Sequence, residues 1–301
     1  MSDFAIGVDI GGTNTKFGVV NKQGKILYQD RMLTNDANDV QDFVDELHQK
    51  LMPLIEKSGG IEKFAGIGVG APNGNYYTGT IEYAANLKWR GIIPFAKITS
   101  EKFGIPVKLT NDANAAAMGE MLFGACKDCK HFITITLGTG VGSGIVIDGK
   151  IVVGHDGFAG ELGHTSIRPG GRLHKGTGLR GTLESYASAT GVRDTAIEML
   201  TRHPEEQSLL RKYSFDELTS KSVYECALKG DSIANQIFEF TGQISGESLA
   251  NFVMFSSPAR IVLFGGLTKS GNLILNPTRK HMEQNLLPIF QNKVKIIFSE
   301  L

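Results

Sequence analysis

Phe132 to Ile147 reads F-I-T-I-T-L-G-T-G-V-G-S-G-I-V-I. An apolar run ends in a glycine-rich turn and apolar residues resume at once, the pattern of two strands joined by a tight turn. A dinucleotide-binding G-x-G-x-x-G unit needs a helix after its glycines. Strand follows here, so that reading fails. Laid over Phe4 to Val20, F-A-I-G-V-D-I-G-G-T-N-T-K-F-G-V-V, apolar strand meets apolar strand and Gly138 meets Gly11. The repeat predicts two similar α/β halves, each presenting a glycine turn whose backbone amides suit phosphate oxygens.

In the first copy an aspartate, Asp9, interrupts a short apolar strand. A carboxylate in that place is costly unless it has work or a partner. In a nucleotide site it orients hydrated Mg²⁺, with Thr13 and the turn amides toward phosphate and Lys16 adding positive charge. A plain tight hairpin is the alternative. A third strand is expected over Lys25 to Tyr28. Val40, Phe43, Val44, Leu47, Leu51, Leu54 and Ile55 recur at helical spacing, which predicts an amphipathic helix over 39–57. Phe64 to Val69 is another strand, leading into Gly70-Ala-Pro-Asn73. Beyond it Asn86 suits a sugar hydroxyl. Trp89 either packs beside a sugar or belongs to the core.

Thr110 to Glu120, T-N-D-A-N-A-A-A-M-G-E, follows an apolar run (Pro106 to Leu109) and opens an alanine-rich stretch with strong helix propensity. Asn111 and Asp112 therefore sit at a strand-to-helix turn. Amide donors in the first helical turn favour negative charge, so Asp112 is expected to be ionised at neutral pH. Such a carboxylate suits a general base acting on a substrate hydroxyl; simple capping of the helix is the competing reading.

Gly157 to His164 is turn-rich, with Glu161 and His164 three residues apart. They read either as a capped helix start or as hydroxyl-binding groups. Lys175-Gly-Thr-Gly-Leu-Arg-Gly-Thr182 and Glu184 follow, then a mostly helical 189–256 with Ile233, Ile237, Phe240, Ile244, Phe252 and Val253 on its buried face. Arg260 to Phe264 is a strand entering a third glycine turn, Gly265-Gly266, a candidate adenosine contact. A helix is expected from Pro277 to Leu287 and a last strand over Val294 to Phe298.

With 301 residues the chain is long enough for two domains. Its 31 basic residues balance 31 acidic ones, so nothing suggests a nucleic-acid or membrane partner. A strand from Phe4 leaves no room for a signal peptide, and no apolar run approaches the roughly 20 residues of a membrane span, which points to the cytoplasm. Cys126-Lys-Asp-Cys129 lacks a second ligand pair, so metal or redox chemistry is not expected there.

Taken together, Asp9 to Lys16, Asn86-Leu87 with Trp89, Asn111-Asp112, Gly138 to Gly144, Gly160-Glu161 with Gly163-His164, Glu184, and Gly265-Gly266 resemble the ROK family of sugar kinases and sugar-responsive repressors, within the actin-like ATPase superfamily. The resemblance runs from Phe4 to the C-terminus. It implies two actin-like, ribonuclease H-like α/β domains with a cleft between them: a smaller domain over 1–112, completed by about 289–301, and a larger one over 113–288.

The resemblance also implies an ATP-dependent hexose kinase, glucose being the first acceptor. N-acetylmannosamine, another N-acetylhexosamine or fructose is the alternative. Sugar would be held by Asn86, Asn111, Asp112, Glu161, His164 and Glu184, with Asp112 taking the proton. ATP would lie across Gly11, Gly12, Thr13, Asn14 and Lys16 and across Gly138, Thr139, Gly140 and Gly142, with Gly265 and Gly266 beside adenosine and Mg²⁺ near Asp9. A homodimer is a further implication.

A sugar-sensing regulator is the rival from another class, and a polymerising actin-like ATPase a third reading. Two departures stand out. Many members carry a C-x-C-G-x-x-G-C zinc loop; here Lys175, Thr177 and Thr182 occupy the thiolate positions, so structural zinc is expected to be absent. Members also continue past Ser299 to Leu301 into a small-residue helix, so the chain is expected to be shortened there or to expose an apolar patch.

Overall fold

The computed structural model describes residues 2–301. The chain divides into two compact units, Met1–Phe123 with Ile151–Ala159, and Gly124–Lys150 with Gly160–Leu301.

The first unit contains β1 (Phe4–Ile10), β2 (Asn14–Asn21), β3 (Ile26–Leu33), α1 (Val40–Lys57) and β4 (Phe64–Ala71). They are followed by the short pair β5 (Ile81–Glu82) and β6 (Ile92–Ile93), then α2 (Phe95–Phe103), β7 (Val107–Asn111) and α3 (Asp112–Leu122). The main sheet has the order β3-β2-β1-β4-β7. β1, β2 and β3 form antiparallel neighbours, while β4 and β7 add in parallel. Alternation along β1 and β2 buries Ile6, Val8, Ile10, Phe17 and Val19 on one face. The helical stripe of α1 supplies Phe43, Val44, Leu47, Leu51 and Ile55 to the same core. Asp39 caps α1, accepting from Gln41 N at 2.8 Å and Asp42 N at 2.9 Å.

The second unit holds β8 (Phe132–Leu137), β9 (Val141–Ile147), the first residue of β10 (Lys150–Ile151), α4 (Glu184–Ala187), α5 (Ala189–Arg202), α6 (Ser220–Ala227), α7 (Ser232–Ser256), β11 (Arg260–Phe264), α8 (Asn272–Gln284) and β12 (Lys295–Phe298). Its sheet, β10-β9-β8-β11-β12, repeats the first: a hairpin, then two parallel strands. The repeat expected from the glycine turns is thus a repeat of whole topology.

Three expectations need correction. The boundary lies after α3 rather than at residue 112, because α3 packs on β4 and β7. The segment 289–301 does not complete the first unit; β12 pairs in parallel with β11, Arg260 opposite Lys295 through Leu263 opposite Phe298. The helix expected from Pro277 begins at Asn272, with Pro277 inside it. The proline forfeits one donor, but its ring fills a notch in α7 left by Gly242, where a Cβ would lie 2.5 Å from Pro277 Cγ.

Candidate active site

In the first unit, β1 and β4 run side by side, with Asp9 opposite Gly70. β7 pairs with β4 so that Gly70 faces Thr110 and Ala71 faces Asn111. Three strand ends therefore bring Asp9, the glycine turn and the start of α3 to one edge of the sheet. Gly70 permits the approach: a Cβ there would sit 3.3 Å from the Asp112 Cα and 3.2 Å from the Ala115 Cβ.

Asn111 is the N-cap of α3, its Oδ1 accepting from Ala113 N at 2.8 Å and Asn114 N at 3.3 Å. Asp112, the first helical residue, is exposed and accepts from Ala113 N at 2.8 Å. The capping reading thus applies to Asn111. Loss of hydration holds the Asp112 carboxyl above the usual aspartate range, outweighing the Ala113 amide, and the like charge of Asp9 adds to the rise. Asp9 is raised as well, again chiefly by lost hydration, against a smaller downward pull from Lys16.

The first glycine turn is tied from outside. Gly11 N–H donates to Asn14 O at 3.1 Å, Thr34 Oγ1 donates to Gly11 O at 2.7 Å, and Asn35 Nδ2 donates to Gly12 O at 2.5 Å. Thr34 and Asn35, in the turns after β3, carry no motif that sequence reading singled out. Asn86 lies exposed against the turn, so close that a Cβ on Gly12 would be 3.1 Å from the Asn86 Cβ. Trp89 lies elsewhere: it is 6% exposed, stacked on Phe95 at 6.1 Å and edge-on to Phe43 at 4.8 Å, a core residue rather than a sugar platform.

In the second unit, the turn between β8 and β9 closes through Gly138 N–H to Gly140 O at 2.9 Å. The start of α5 docks on it: Ala189 N–H donates to Gly138 O at 2.8 Å and Thr190 Oγ1 to Thr139 O at 3.2 Å. Gly265 has φ of 107° and abuts the Leu137 carbonyl, where a Cβ would come within 2.7 Å. The second and third glycine turns are therefore neighbours, as ends of adjacent parallel strands must be.

Glu161 and His164 are held beside β9. Ser143 Oγ donates to Gly160 O and accepts from Leu162 N at 3.1 Å, and Gly163 has no room for a Cβ beside the Val141 carbonyl. His164 Nε2 is 3.9 Å from Glu161 Oε2, and its Nδ1 is buried with no hydrogen-bond partner among the described residues. Glu184 Oε2 accepts from Val141 N at 2.6 Å, and Oε1 lies 2.7 Å from His174 Nε2. His174 was not legible as a site residue; its ring centroid is 5.8 Å from that of His164.

A family model, the ROK family, matches residues 5–301. The chain belongs to the ROK family. The glucokinase of Halalkalibacterium halodurans is 36% identical over 294 residues, covering 96% of this chain and 88% of that protein. A crystal structure of a ROK family glucokinase from Streptomyces griseus, in complex with glucose and AMPPNP, superposes with a TM-score of 0.82 at 33% identity, covering 99% of this chain and 95% of that one. The xylose repressor of Caldicellulosiruptor bescii is 30% identical, covering 98% of this chain and 74% of the repressor.

For a ROK chain, the loop at 170–183 is the point of departure. Its side chains do not fit the structural zinc that the resemblance brings with it. Thr182 is 1% exposed and shares a 2.7 Å hydrogen bond with Ser185 Oγ, while Thr177 Oγ1 lies 2.8 Å from His174 Nδ1. Arg172 orders the loop instead. Its Nε bonds Glu198 Oε1 at 2.8 Å, Nη1 reaches Ser185 O at 2.6 Å and Gly191 O at 3.0 Å, and Nη2 reaches Thr195 Oγ1 at 3.0 Å. The guanidinium lies 4.6 Å from the centre of the Tyr186 ring. No helix among the described residues is long and apolar enough to cross a membrane.

Proposed function

We propose that this chain is an ATP-dependent hexose kinase whose first acceptor is glucose, and that Asp112 accepts the proton of the attacking hydroxyl. The observation that carries the reading is the Asp112 carboxylate: exposed at the first turn of α3, raised toward the pH at which a base is useful, in a chain 36% identical to a glucokinase. A raised pKa makes the oxygen more basic, and the Asn111 cap keeps the helix start in place without drawing on Asp112 alone.

Asn86, Asn111, Glu161, His164 and Glu184 are assigned to the sugar. Fixed acceptors such as Glu184 recognise hydroxyls by direction, and a sugar lacking the matching hydroxyl leaves a desolvated group unpaired. The glycine turns at Gly11 to Asn14 and Gly138 to Gly142 are assigned to phosphate, with Lys16 supplying charge and Gly265-Gly266 beside adenosine. The donor chemistry at Asp9, an accessible carboxylate at a strand end, suits a hard divalent cation. Mg²⁺ held there with ATP would neutralise charge on the phosphate oxygens.

The test is ADP release with ATP and Mg²⁺ across glucose, fructose, mannose, N-acetylglucosamine and N-acetylmannosamine. A clear preference for glucose supports the reading, and preference for an N-acetylhexosamine or fructose replaces the acceptor but keeps the kinase. Sugar binding without ADP release would favour a sugar-sensing regulator, the class to which the xylose repressor belongs.

A further inference from the structure

We propose that His174 is a positioning residue for Glu184, fixing its carboxylate by hydrogen bonds within the loop that Arg172 orders. The inference rests on the kinase reading, in which Glu184 meets the sugar.

The loop forms a closed chain of donors and acceptors. Leu179 N–H donates to Thr177 Oγ1 at 3.3 Å, and Thr177 Oγ1 lies 2.8 Å from His174 Nδ1. His174 Nε2 is 2.7 Å from Glu184 Oε1, and Glu184 Oε2 takes the Val141 amide at 2.6 Å. One assignment satisfies every member: the Thr177 hydroxyl donates to Nδ1, and the Nε2–H tautomer donates to the carboxylate. The imidazole itself is fixed by a tight hairpin. His174 N–H donates to Leu179 O and Gly178 N–H to His174 O, both at 2.8 Å, with Gly178 at φ of 74°. Both oxygens of Glu184 are thereby held by donors that do not depend on substrate. The cost of ordering a long carboxylate side chain falls on folding rather than on sugar binding.

The rival use of these groups is metal ligation, since the ligand atoms of His164, His174 and Glu184 lie within 4.8 Å of one another. The spacing decides against it. Two ligands each ~2.0–2.1 Å from a tetrahedral ion sit roughly 3.3 Å apart, whereas 2.7 Å is the separation of a hydrogen-bonded pair. Nδ1 of His174 is also engaged by Thr177, the residue standing at a thiolate position of the zinc-bearing pattern.

The experiment compares wild type with His174→Ala, His174→Gln and Thr177→Val in the full chain, measuring KM for glucose, KM for ATP and kcat, with thermal melts and zinc analysis of each preparation. His174→Ala should raise the glucose KM about tenfold or more while the ATP KM stays put, since a hydrogen bond to a charged group is lost at the sugar end alone. Glutamine carries an amide donor at similar reach and should return the glucose KM to within about threefold of wild type; Thr177→Val should show part of the alanine effect. An unchanged glucose KM in His174→Ala, in a wild type that turns over, overturns the inference alone. Failure of glutamine to rescue, together with stoichiometric zinc in the wild type, overturns it in favour of a metal ligand. A wild type with no sugar-dependent ADP release overturns the kinase reading, and the role toward sugar falls with it.

Discussion

Replacing Asp112 with asparagine separates the proposed proton acceptance from everything else that side chain does. Asp112 Oδ1 takes the Ala113 amide at 2.8 Å, and Asn111 Oδ1 caps the same turn through Ala113 at 2.8 Å and Asn114 at 3.3 Å. An asparagine oxygen keeps the first contact and Asn111 keeps the cap, so α3 remains in place. What is lost is the basic oxygen, typically ~10²- to 10⁴-fold in kcat, or roughly 2.7 to 5.4 kcal/mol of barrier.

Stability moves the other way. The folded-state pKa of Asp112 is raised, so between the unfolded and folded pKa values the native chain holds a proton that the unfolded chain has released. The resulting stabilisation is complete below the unfolded pKa and is lost as pH rises through the folded one. At pH 7 the ionised side chain therefore costs stability, and Asp112→Asn should melt at a higher temperature than wild type. The assay is glucose-dependent ADP release at saturating ATP and glucose, paired with thermal melts at pH 7. A kcat within tenfold of wild type refutes the base assignment, and a melting temperature that falls refutes the desolvation argument.

The same shift predicts that the acidic limb of the wild-type kcat/KM profile for glucose, which reports the free enzyme, lies above the ~3.9 of an unperturbed aspartate, as a pH series from 4 upward would read. A Cβ at Gly140 would overlap Glu184 Oε2, displacing it from the Val141 amide it meets at 2.6 Å. Gly140→Ala should therefore raise the glucose KM roughly 10- to 150-fold, the equivalent of one charge-assisted hydrogen bond, as steady-state kinetics would measure. Arg172→Lys cannot serve Glu198, Ser185, Gly191 and Thr195 together; it should lower the melting temperature by roughly 4 to 12 °C, for a loss of about 2 to 3 kcal/mol. An unchanged melt would show that other contacts order the loop.

Much of this molecule is local, and the local part was legible. The glycine turns announced themselves because strand alternation stops and restarts around Gly11 and Gly138, while the parallel strands added beside each hairpin came from the fold. Asn111 as a cap was readable because its side chain bonds amides two and three residues ahead. Pro277 misled for the same reason: a proline argues locally for a helix start, and the notch at Gly242 that accommodates it lies on another helix. Trp89 was ambiguous until Phe43 and Phe95 were seen around it.

Sequence alone determined the elements, their repeat and the residue types able to do phosphoryl chemistry, because strand and helix periodicity and turn chemistry act over a few residues. Tertiary structure decided the direction of the pKa shift and the partners. The rise at Asp112 depends on lost hydration and on Asp9, which lies 103 positions earlier in the chain and is brought near it by the pairing of β1, β4 and β7. His174 gained its place from the meeting of a hairpin tip with Glu184 and the Val141 amide. Electrostatics and hydrogen bonding act through space, and only the fold sets those distances.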